Sequence, residues 1–251
     1  MAGTEIHRRL KWVVAEVVDL IDETPSVRSI VLFCPDWPGH LAGQHIDIRL
    51  TAEDGYQAQR SYSIASPPDG ERLTITVERV EDGEVSSFLL DELRIGDRFE
   101  IRGPIGGYFV WDPDLGGPLQ LIGGGSGVVP LMAMLRTRVV RGSSVPVRWL
   151  SSHRSYDEII YREELDAYSR LDGVEIVITL TRSHPEGWPG PTRRVDRAML
   201  EEHAWAAEDR PLCYVCGPTG FVETVADTLV ELGHPAERVR TERFGPTGGR
   251  L

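Results

Sequence analysis

The sequence predicts a β plus α/β protein of two domains: a six-stranded antiparallel β-barrel, then a five-stranded parallel α/β domain with helices on both faces of its sheet. Up to about position 112, short runs rich in β-branched side chains alternate with turn residues. From position 119, short apolar runs alternate with helical patterns, which is typical of a parallel sheet. The segment Asp112-Pro-Asp-Leu-Gly-Gly-Pro118 between them is rich in glycine and proline. We therefore divide the chain into residues 1–112 and 113–251.

Six strands and one helix are predicted in the first domain. Runs 12–20 and 27–34 flank a Thr-Pro-Ser turn, and residues 44–50 alternate polar and apolar side chains, as a half-buried strand does. The remaining strands are expected at 59–65, 72–80 and 97–102, and the helix at 86–93. Strands at this density indicate a small antiparallel barrel.

Five strands and four helices are predicted in the second domain. The strands are expected at 119–122, 145–150, 174–180, 212–215 and 238–242, and the helices at 130–138, 157–171, 196–203 and 221–232. Strands that alternate with helices in this way form a parallel sheet, and ligands of such sheets bind at the carboxyl ends of the strands.

The composition is that of an ordinary globular protein. Of the 251 residues, 41% are hydrophobic and 26% are charged. The net charge of −12 argues against a general nucleic-acid binder, which normally presents a basic surface. No apolar run approaches the roughly 20 residues that span a bilayer, and residues 1–11 lack the apolar core of a secretory signal. We therefore expect a cytoplasmic protein.

The three cysteines, Cys34, Cys213 and Cys216, do not form a disulfide framework, and their low, odd number fits a reducing compartment. Cys213 and Cys216 form a C-x-x-C motif, which elsewhere holds a metal or a redox dithiol. Here the motif lies in a predicted strand, where residues three apart point to opposite faces, so a dithiol is the weaker interpretation. No further Cys or His lies at zinc or iron–sulfur spacing. We expect no metal site.

A glycine-rich loop, Gly123-Gly-Gly-Ser-Gly-Val-Val-Pro130, joins a predicted strand to a predicted helix. Glycines let the backbone approach a pyrophosphate, and the helix N-terminus supplies free N–H groups and the positive end of its dipole. The pattern is G-x-G-x-x-P and no Gly-Lys-Ser/Thr follows, so an ATP P-loop is excluded. An ordinary strand-to-helix connector is the alternative. The candidate binding residues here are Gly124, Gly125, Ser126, Gly127 and Pro130, the last suited to the first helical turn.

The first domain carries Arg60-Ser-Tyr-Ser63 on a predicted strand. Arg60 and Tyr62 share one face of this strand, and Ser61 and Ser63 share the other. An arginine binds a diphosphate through two hydrogen bonds, and a tyrosine ring packs against a flat heteroaromatic group. An edge strand with an exposed arginine is the alternative.

In this order, Arg60-x-Tyr62-Ser63 in a β-barrel, the G-x-G-x-x-P loop and Cys216-Gly217-Pro218 resemble the ferredoxin–NADP reductase-like flavoproteins. The resemblance covers essentially the whole chain. Each motif alone is moderately specific, whereas their order and spacing together are highly specific. The resemblance implies an FAD-binding barrel, with FMN less favoured, and an NAD(P)-binding α/β domain.

The resemblance also implies roles around the flavin. Arg60 would neutralise the FAD pyrophosphate, Tyr62 would pack against the isoalloxazine, and Ser63 would hydrogen-bond near flavin N5. Residues 83–87 would form a second phosphate-binding stretch, in which Ser86 caps the helix; a plain cap without a ligand is the alternative. Backbone groups of 77–79 would line the flavin edge. The remaining implied contacts are Val77, Arg79, Gly83, Val85 and Ser87.

At the nicotinamide end, the resemblance implies that Cys216, followed by Gly217 and Pro218, lies beside the nicotinamide as a small neutral residue and not as a nucleophile. Glu242-Arg-Phe244 is similar to the closing Glu-x-aromatic of the family, in which the ring covers the flavin face and the carboxylate lies near the reacting atoms. A buried core cysteine and an exposed strand end are the alternatives. The implied catalytic residues are Ser63, Cys216, Glu242 and Phe244.

The chain departs from the plant-type pattern because it continues for seven residues past Phe244. The aromatic ring is therefore not terminal, and the extra segment is a candidate to wrap over the FAD adenine.

The choice of nicotinamide depends on charge near the 2′ position. The 2′-phosphate of NADP needs cations, whereas the 2′-hydroxyl of NAD prefers an acidic partner. The resemblance implies that Arg154, Arg182 and Arg194 bind the 2′-phosphate region, and no Asp or Glu ends the second strand of the parallel sheet. Lys11 is the only lysine, so ordinary surface cations are the alternative explanation for any one arginine. We predict NADPH, with NADH less favoured.

These observations predict a reductase in which a hydride passes from NADPH to FAD and electrons then leave for a separate protein. Ferredoxin, flavodoxin and an oxygenase component are all compatible acceptors, with 7–11 a candidate docking patch or a solvated tail. Neither nucleic acid nor a membrane is expected as a partner. Two alternatives stay open: an NADH-dependent reductase component of an oxygenase or other multicomponent enzyme, and a non-catalytic flavin-binding electron-transfer subunit. The glycine loop favours the enzyme, because a flavin-only module needs no nicotinamide site.

Overall fold

The computed structural model describes residues 10–68 and 70–244, and its first part is the predicted six-stranded antiparallel sheet. The strands follow the order β4-β3-β6-β1-β2-β5, and every pairing between them is antiparallel. The elements are β1 (Trp12–Thr24), β2 (Val27–Phe33), β3 (His45–Thr51), β4 (Gln57–Ser63), β5 (Arg72–Glu78), α1 (Glu84–Asp91) and β6 (Arg98–Ile105).

Alternation of apolar side chains explains why these strands form a single core. Ile46 and Ile48 on β3 and Ile75 on β5 are fully buried, and residues two apart on a strand point to the same face. Leu89 of α1 packs into the same apolar cluster. The strands β4 and β5 lie at opposite ends of the strand order, and Ile64, just past β4, pairs with Ile75 of β5, which closes the sheet as in a barrel.

The second part is the predicted five-stranded parallel sheet, with strand order β11-β10-β7-β8-β9. Its elements are β7 (Leu119–Gly124), α2 (Val128–Val140), β8 (Val147–His153), α3 (Arg162–Tyr168), β9 (Val174–Leu180), α4 (Arg197–His203), β10 (Leu212–Pro218), α5 (Thr219–Glu231) and β11 (Val239–Phe244). Helices α2 and α3 pack on one face and α4 and α5 on the other. The strand order reverses between β7 and β10, which is where ligands of such sheets bind.

One predicted helix is divided in the structure, and three others, α1, α2 and α5, begin two residues earlier than expected. The helix expected at 157–171 is a short 3₁₀ turn at Tyr156–Glu158 followed by the separate helix α3, because Tyr161 between them adopts a left-handed backbone conformation with φ of 60°. The helix expected to begin at residue 86 begins two residues earlier, at Glu84.

A shared apolar core joins the two parts. Ala42, Ala65 and Trp111 belong to the same buried cluster as residues of α2 and β7. Tyr214 on β10 donates a hydrogen bond to the carbonyl of Val110 at 2.6 Å. In the described ranges, no helix is long and apolar enough to cross a membrane.

Candidate functional site

A cleft with a volume of about 450 Å³ lies where the barrel meets the parallel sheet. The barrel contributes β3, β4, β5 and the turn before α1, and the parallel sheet contributes the glycine loop and the end of β11. Its lining residues are His45, Arg60, Ser61, Tyr62, Ser63, Thr76, Glu78, Val80, Glu81, Asp82, Gly83, Val85, Ser86, Ser126, Val129, Glu242, Arg243 and Phe244. The cleft thus brings together candidate residues from both predicted domains.

The Arg-x-Tyr-Ser motif lies on the last residues of the edge strand β4. Arg60 is exposed, and its guanidinium donates a hydrogen bond to the Gln59 carbonyl at 2.6 Å. Within the described part of the chain, Arg60 forms no salt bridge, so its charge is available to an anionic ligand. Tyr62 is half-buried, and burial raises the pKa of its hydroxyl to about 12. Ser63 is buried at the inner end of the motif.

The turn before α1 forms a second wall of the cleft. Gly83 precedes the helix in an extended conformation, and a Cβ at this position would lie 2.5 Å from Ser86 Oγ. Ser86 is not the helix cap, because its hydroxyl lies inside the first turn, where it donates to the Gly83 carbonyl and accepts from the Val80 N–H, both at 3.2 Å. The first helical turn still leaves backbone N–H groups without intrahelical partners beside the cleft.

Val77, Arg79 and Ser87 are absent from the residues that line the cleft, although the backbone groups of 77–79 were expected along the flavin edge. The side chain of Val77 is fully buried in the barrel core, which leaves only its backbone for such a contact. Arg79 is exposed and makes two hydrogen bonds to Asp91, at 2.8 and 2.6 Å. Ser87 is the next residue of α1 after Ser86 and does not line the cleft. The cleft is lined instead by Thr76, whose side chain points to the face opposite Val77. The alternation of side chains along β5 could have identified Thr76 as a lining residue from the sequence.

The glycine loop crosses the carboxyl end of β10 at very close range. A Cβ on Gly127 would lie 2.2 Å from the Cys216 carbonyl oxygen, and one on Gly217 would lie 3.0 Å from the Gly124 carbonyl oxygen. Gly125 has a positive φ of 55°. Side chains are therefore excluded from this crossing, and Ser126 at its tip reaches the cleft. Pro130 is buried in the first turn of α2, as expected.

Cys216 and Glu242 are neighbours on β10 and β11. Cys216 is fully buried, and burial, together with the Glu242 charge, raises the pKa of its thiol well above the usual value. Cys216 and Cys213 belong to separate apolar clusters on opposite faces of the sheet. Burial raises the pKa of Glu242 to about 7, and its Oε2 has no hydrogen-bond partner among the described residues.

Phe244 is the last described residue of β11 and pairs with Pro218 on β10. Its half-buried ring packs against the core of the parallel sheet and lines the cleft. The expected wrap of residues 245–251 over adenine, and residues 7–9 of the basic stretch, lie outside the described residues.

Two of the three predicted phosphate-binding arginines are brought together. The backbone N–H of Arg182 donates to the backbone carbonyl of Arg154 at 2.9 Å, because the ends of β8 and β9 are adjacent. Arg154, Arg182 and Arg194 are exposed and do not line the cleft. Next to Arg194, Arg193 is held by Asp196 at 2.8 Å.

The cleft residues suit a flavin dinucleotide. The exposed Arg60 guanidinium and a helix N-terminus offer positive charge to a pyrophosphate, and Tyr62 and Phe244 offer rings to a flat heteroaromatic group. Across the described residues, no group of three His, Cys, Asp or Glu side chains is arranged to hold a metal ion.

Comparisons with known proteins agree with this geometry. Residues 33–110 match the family model for an oxidoreductase FAD-binding domain, and residues 121–227 match that for an oxidoreductase NAD-binding domain. Ferredoxin–NADP reductase B of Sorangium cellulosum is 35% identical over 239 residues, covering 92% of this chain and 96% of that protein. The glycine betaine monooxygenase reductase subunit of Chromohalobacter salexigens is 32% identical over 237 residues. This match covers 92% of the present chain but only 63% of that subunit.

Among solved structures, the FAD/NAD-binding domain of nitric oxide dioxygenase from Vibrio cholerae superposes with a TM-score of 0.83 at 27% identity. That match covers 93% of this chain and 99% of the other. With both domain families matched, and with a relative of equal extent above 30% identity, the chain belongs to the ferredoxin–NADP reductase family of FAD- and NAD-binding oxidoreductases.

Proposed function

We propose that this protein binds FAD in the cleft, accepts a hydride from NADPH, and delivers the electrons to a separate protein acceptor. The observation that carries the proposal is the composition of the cleft, in which the Arg60–Ser63 motif of the barrel faces Glu242 and Phe244 of the parallel sheet. Ligands held by the two domains would meet there, and holding two reactants in position supplies a large part of the lowering of a reaction barrier.

On the barrel side, we assign the pyrophosphate of FAD to Arg60 and to the first turn of α1, where charge and free N–H groups favour an anion. Tyr62 would support the flavin ring, and Ser63 would donate a hydrogen bond near its reactive edge. Bound FAD would supply the two-electron chemistry that no side chain offers.

On the side of the parallel sheet, we assign the nicotinamide dinucleotide to the crossing of the glycine loop over β10. The close approach of Gly127 to the Cys216 carbonyl leaves this surface free of side chains. Phe244 would cover the flavin face until the nicotinamide arrives, and Cys216 would line the nicotinamide position as a neutral thiol. Glu242 would lie near the reacting atoms, in a setting where burial keeps its carboxyl partly protonated at neutral pH.

We propose NADPH as the donor because Arg154 and Arg182 are adjacent and exposed at the ends of β8 and β9. Two guanidinium groups at such a position suit the 2′-phosphate dianion. The strand β8 ends without an acidic residue that would select the 2′-hydroxyl of NAD.

A second candidate is an NADH-dependent reductase component of an oxygenase. Delivery of electrons to an oxygenase is favoured by the reductase subunits of glycine betaine monooxygenase among the relatives. Since the chain spans 63% of those subunits, the acceptor stays a proposal for either candidate. The compartment we propose is the cytoplasm, in keeping with three free, buried cysteines.

Anaerobic titration of the flavin-loaded protein tests the proposal. Adding NADPH should bleach the flavin absorbance, with a higher reduction efficiency than NADH gives. A clear preference for NADH would favour the oxygenase-type reductase, and no bleaching by either would favour a non-catalytic flavin subunit. Reduction of a panel containing ferredoxin, flavodoxin and oxygenase components by the reduced protein would then identify the acceptor class.

A further inference from the structure

A polar cluster lies within the apolar interface between the barrel and the parallel sheet. Tyr161 and Arg136 reach it from the second part of the chain, and Thr76 and the Ala65 carbonyl from the first. Both Tyr161 and Thr76 are buried, at 3% and 5% exposure. Buried polar groups are costly unless they are paired, so these contacts restrict how the two parts fit together.

Tyr161 makes the central link. Its hydroxyl donates to Thr76 Oγ1 at 2.5 Å, across 85 positions of sequence. The residue has a φ of 60°, a left-handed conformation that residues other than glycine rarely adopt. The same conformation separates α3 from the preceding turn and aims the ring at the barrel. The helix is therefore interrupted at the residue whose hydroxyl makes this contact.

The link continues into the barrel through a chain of hydroxyl groups. Since Thr76 Oγ1 accepts from Tyr161, its own proton is free to reach Ser29 Oγ at 2.8 Å, and Ser29 in turn donates to Glu23 at 2.6 Å. Thr76 and Ser29 each accept one hydrogen bond and donate another, and hydrogen bonds in such a chain strengthen one another.

Arg136 on α2 makes a second, parallel link. Its guanidinium donates to the Ala65 carbonyl at 2.9 Å and is held by Glu164 on α3. It also lies over the Tyr161 ring, 4.8 Å from the ring centroid. One cation thus supports the ring that carries the first link.

Thr76 also lines the cleft, so the interface bond ends on the wall of the proposed flavin site. We propose that Tyr161 is a positioning residue, which acts through Thr76 to hold this wall in register with the nicotinamide-binding part. The inference rests on the proposed function, because register matters only where two ligands must meet. Misplacement of reacting groups by about 1 Å is enough to cost as much as a hundredfold in rate.

Tyr161→Phe removes the link and keeps the ring. Tyr168→Phe is the matched control, because the Tyr168 hydroxyl belongs to the same cluster, where it donates to Glu164, but makes no hydrogen bond to the barrel within the described part of the chain. In stopped-flow reduction of the flavin-loaded protein by NADPH, Tyr161→Phe should lower the limiting rate roughly tenfold and leave the dissociation constants of flavin and nicotinamide within about twofold. Tyr168→Phe should reduce at the wild-type rate. Equal rates for wild type and Tyr161→Phe would overturn the proposal, as would equal losses in both variants.

Thr76→Val removes the same bond from the barrel side and serves if Tyr161→Phe folds poorly. The double variant should be no slower than Thr76→Val alone, because Thr76→Val already lacks the bond to Tyr161 in addition to its bond to Ser29; additive losses of rate would overturn the proposal. Hydrogen–deuterium exchange should rise in both β5 and 159–165 for Tyr161→Phe, and not in β5 for Tyr168→Phe. If wild type is not reduced by NADPH or NADH, the proposed function fails, while an exchange rise confined to 159–165 refutes the positioning role.

Discussion

Oε1 of Glu242 lies 3.9 Å from Nδ1 of His45, so the last strand of the parallel sheet meets the barrel strand β3 at the cleft. Burial lowers the pKa of His45 and raises the pKa of Glu242 to about 7. Both shifts favour the neutral forms of the two groups. At this distance, and with both groups shifted toward their neutral forms, the contact is not an ion pair that stabilises the fold at neutral pH.

Glu242→Gln is expected to remove a pH-dependent cost. The carboxyl has a pKa of 4.5 in the unfolded reference and about 7 in the fold, so the unfolded chain releases its proton first. The contribution of this group to the free energy of unfolding is fully present below pH 4.5 and is lost as the pH rises to 7. Above pH 7 the protein is less stable than at low pH by on the order of 3 kcal/mol from this group. In urea unfolding of both proteins between pH 5 and 8, the free energy of unfolding of the variant should increase relative to that of wild type as the pH rises.

A difference in unfolding free energy that stays constant over that range would mean that the carboxylate is solvated in the fold. The comparison with the glutamine variant is necessary because His40, His45 and His153, whose pKa values burial lowers, act with the opposite sign.

Arg60→Ala is expected to weaken flavin binding, because the pyrophosphate loses its charged partner. A hydrogen bond to a charged group contributes about 1.5–3 kcal/mol, which corresponds to roughly ten- to hundredfold in Kd. Flavin fluorescence titration of the apoprotein measures this. Arg98→Ala is the control, since Arg98 lies on the same sheet, pairs with Glu16 and is absent from the cleft. Unchanged flavin affinity in Arg60→Ala would reject the assigned role.

The sequence predicted the two sheets well, because alternation within strands and the strand–helix rhythm are local properties. It also predicted much of the cleft: Arg60, Tyr62, Ser63, Gly83 and Ser126 lie there together. The motifs that carry these residues keep fixed positions on their own strand or loop. Local pattern and local structure therefore agree at these positions.

What the sequence did not predict depends on contacts between distant segments. Nothing near Tyr161 indicates that its hydroxyl bonds Thr76, so a continuous helix at 157–171 was the natural expectation. His45 appeared only as one position of an alternating strand, and its approach to Glu242 spans almost the whole chain. Ser86 was interpreted as a helix cap because serine favours that position, whereas the helix begins at Glu84 and Gly83 precedes it.

Alanine at Arg154 or Arg182 is expected to raise the KM for NADPH much more than the KM for NADH. The reason is that only NADPH carries the 2′-phosphate, and a charged hydrogen bond to it contributes about 1.5–3 kcal/mol. Steady-state reduction with both donors measures the ratio. Arg170→Ala is a suitable control, because Arg170 is exposed and pairs with Asp166 away from the ends of the strands. Equal effects on both donors would count against 2′-phosphate recognition by these arginines.

Gly127→Ala is expected to disrupt the crossing of the glycine loop over β10. The added methyl would lie 2.2 Å from the Cys216 carbonyl oxygen, and backbone cannot move aside as a side chain does, so we expect a loss of about 1–3 kcal/mol in unfolding free energy. Gly220→Ala in the first turn of α5 is the matched control, because its Cβ would meet nothing within 4 Å. That change should be neutral or stabilising, by about 0.5–1 kcal/mol, since alanine favours helix more than glycine. Urea unfolding compares the two. If Gly127→Ala is as stable as Gly220→Ala, the loop does not approach β10 as closely as described, and the nicotinamide surface assigned to this crossing has to be sought elsewhere.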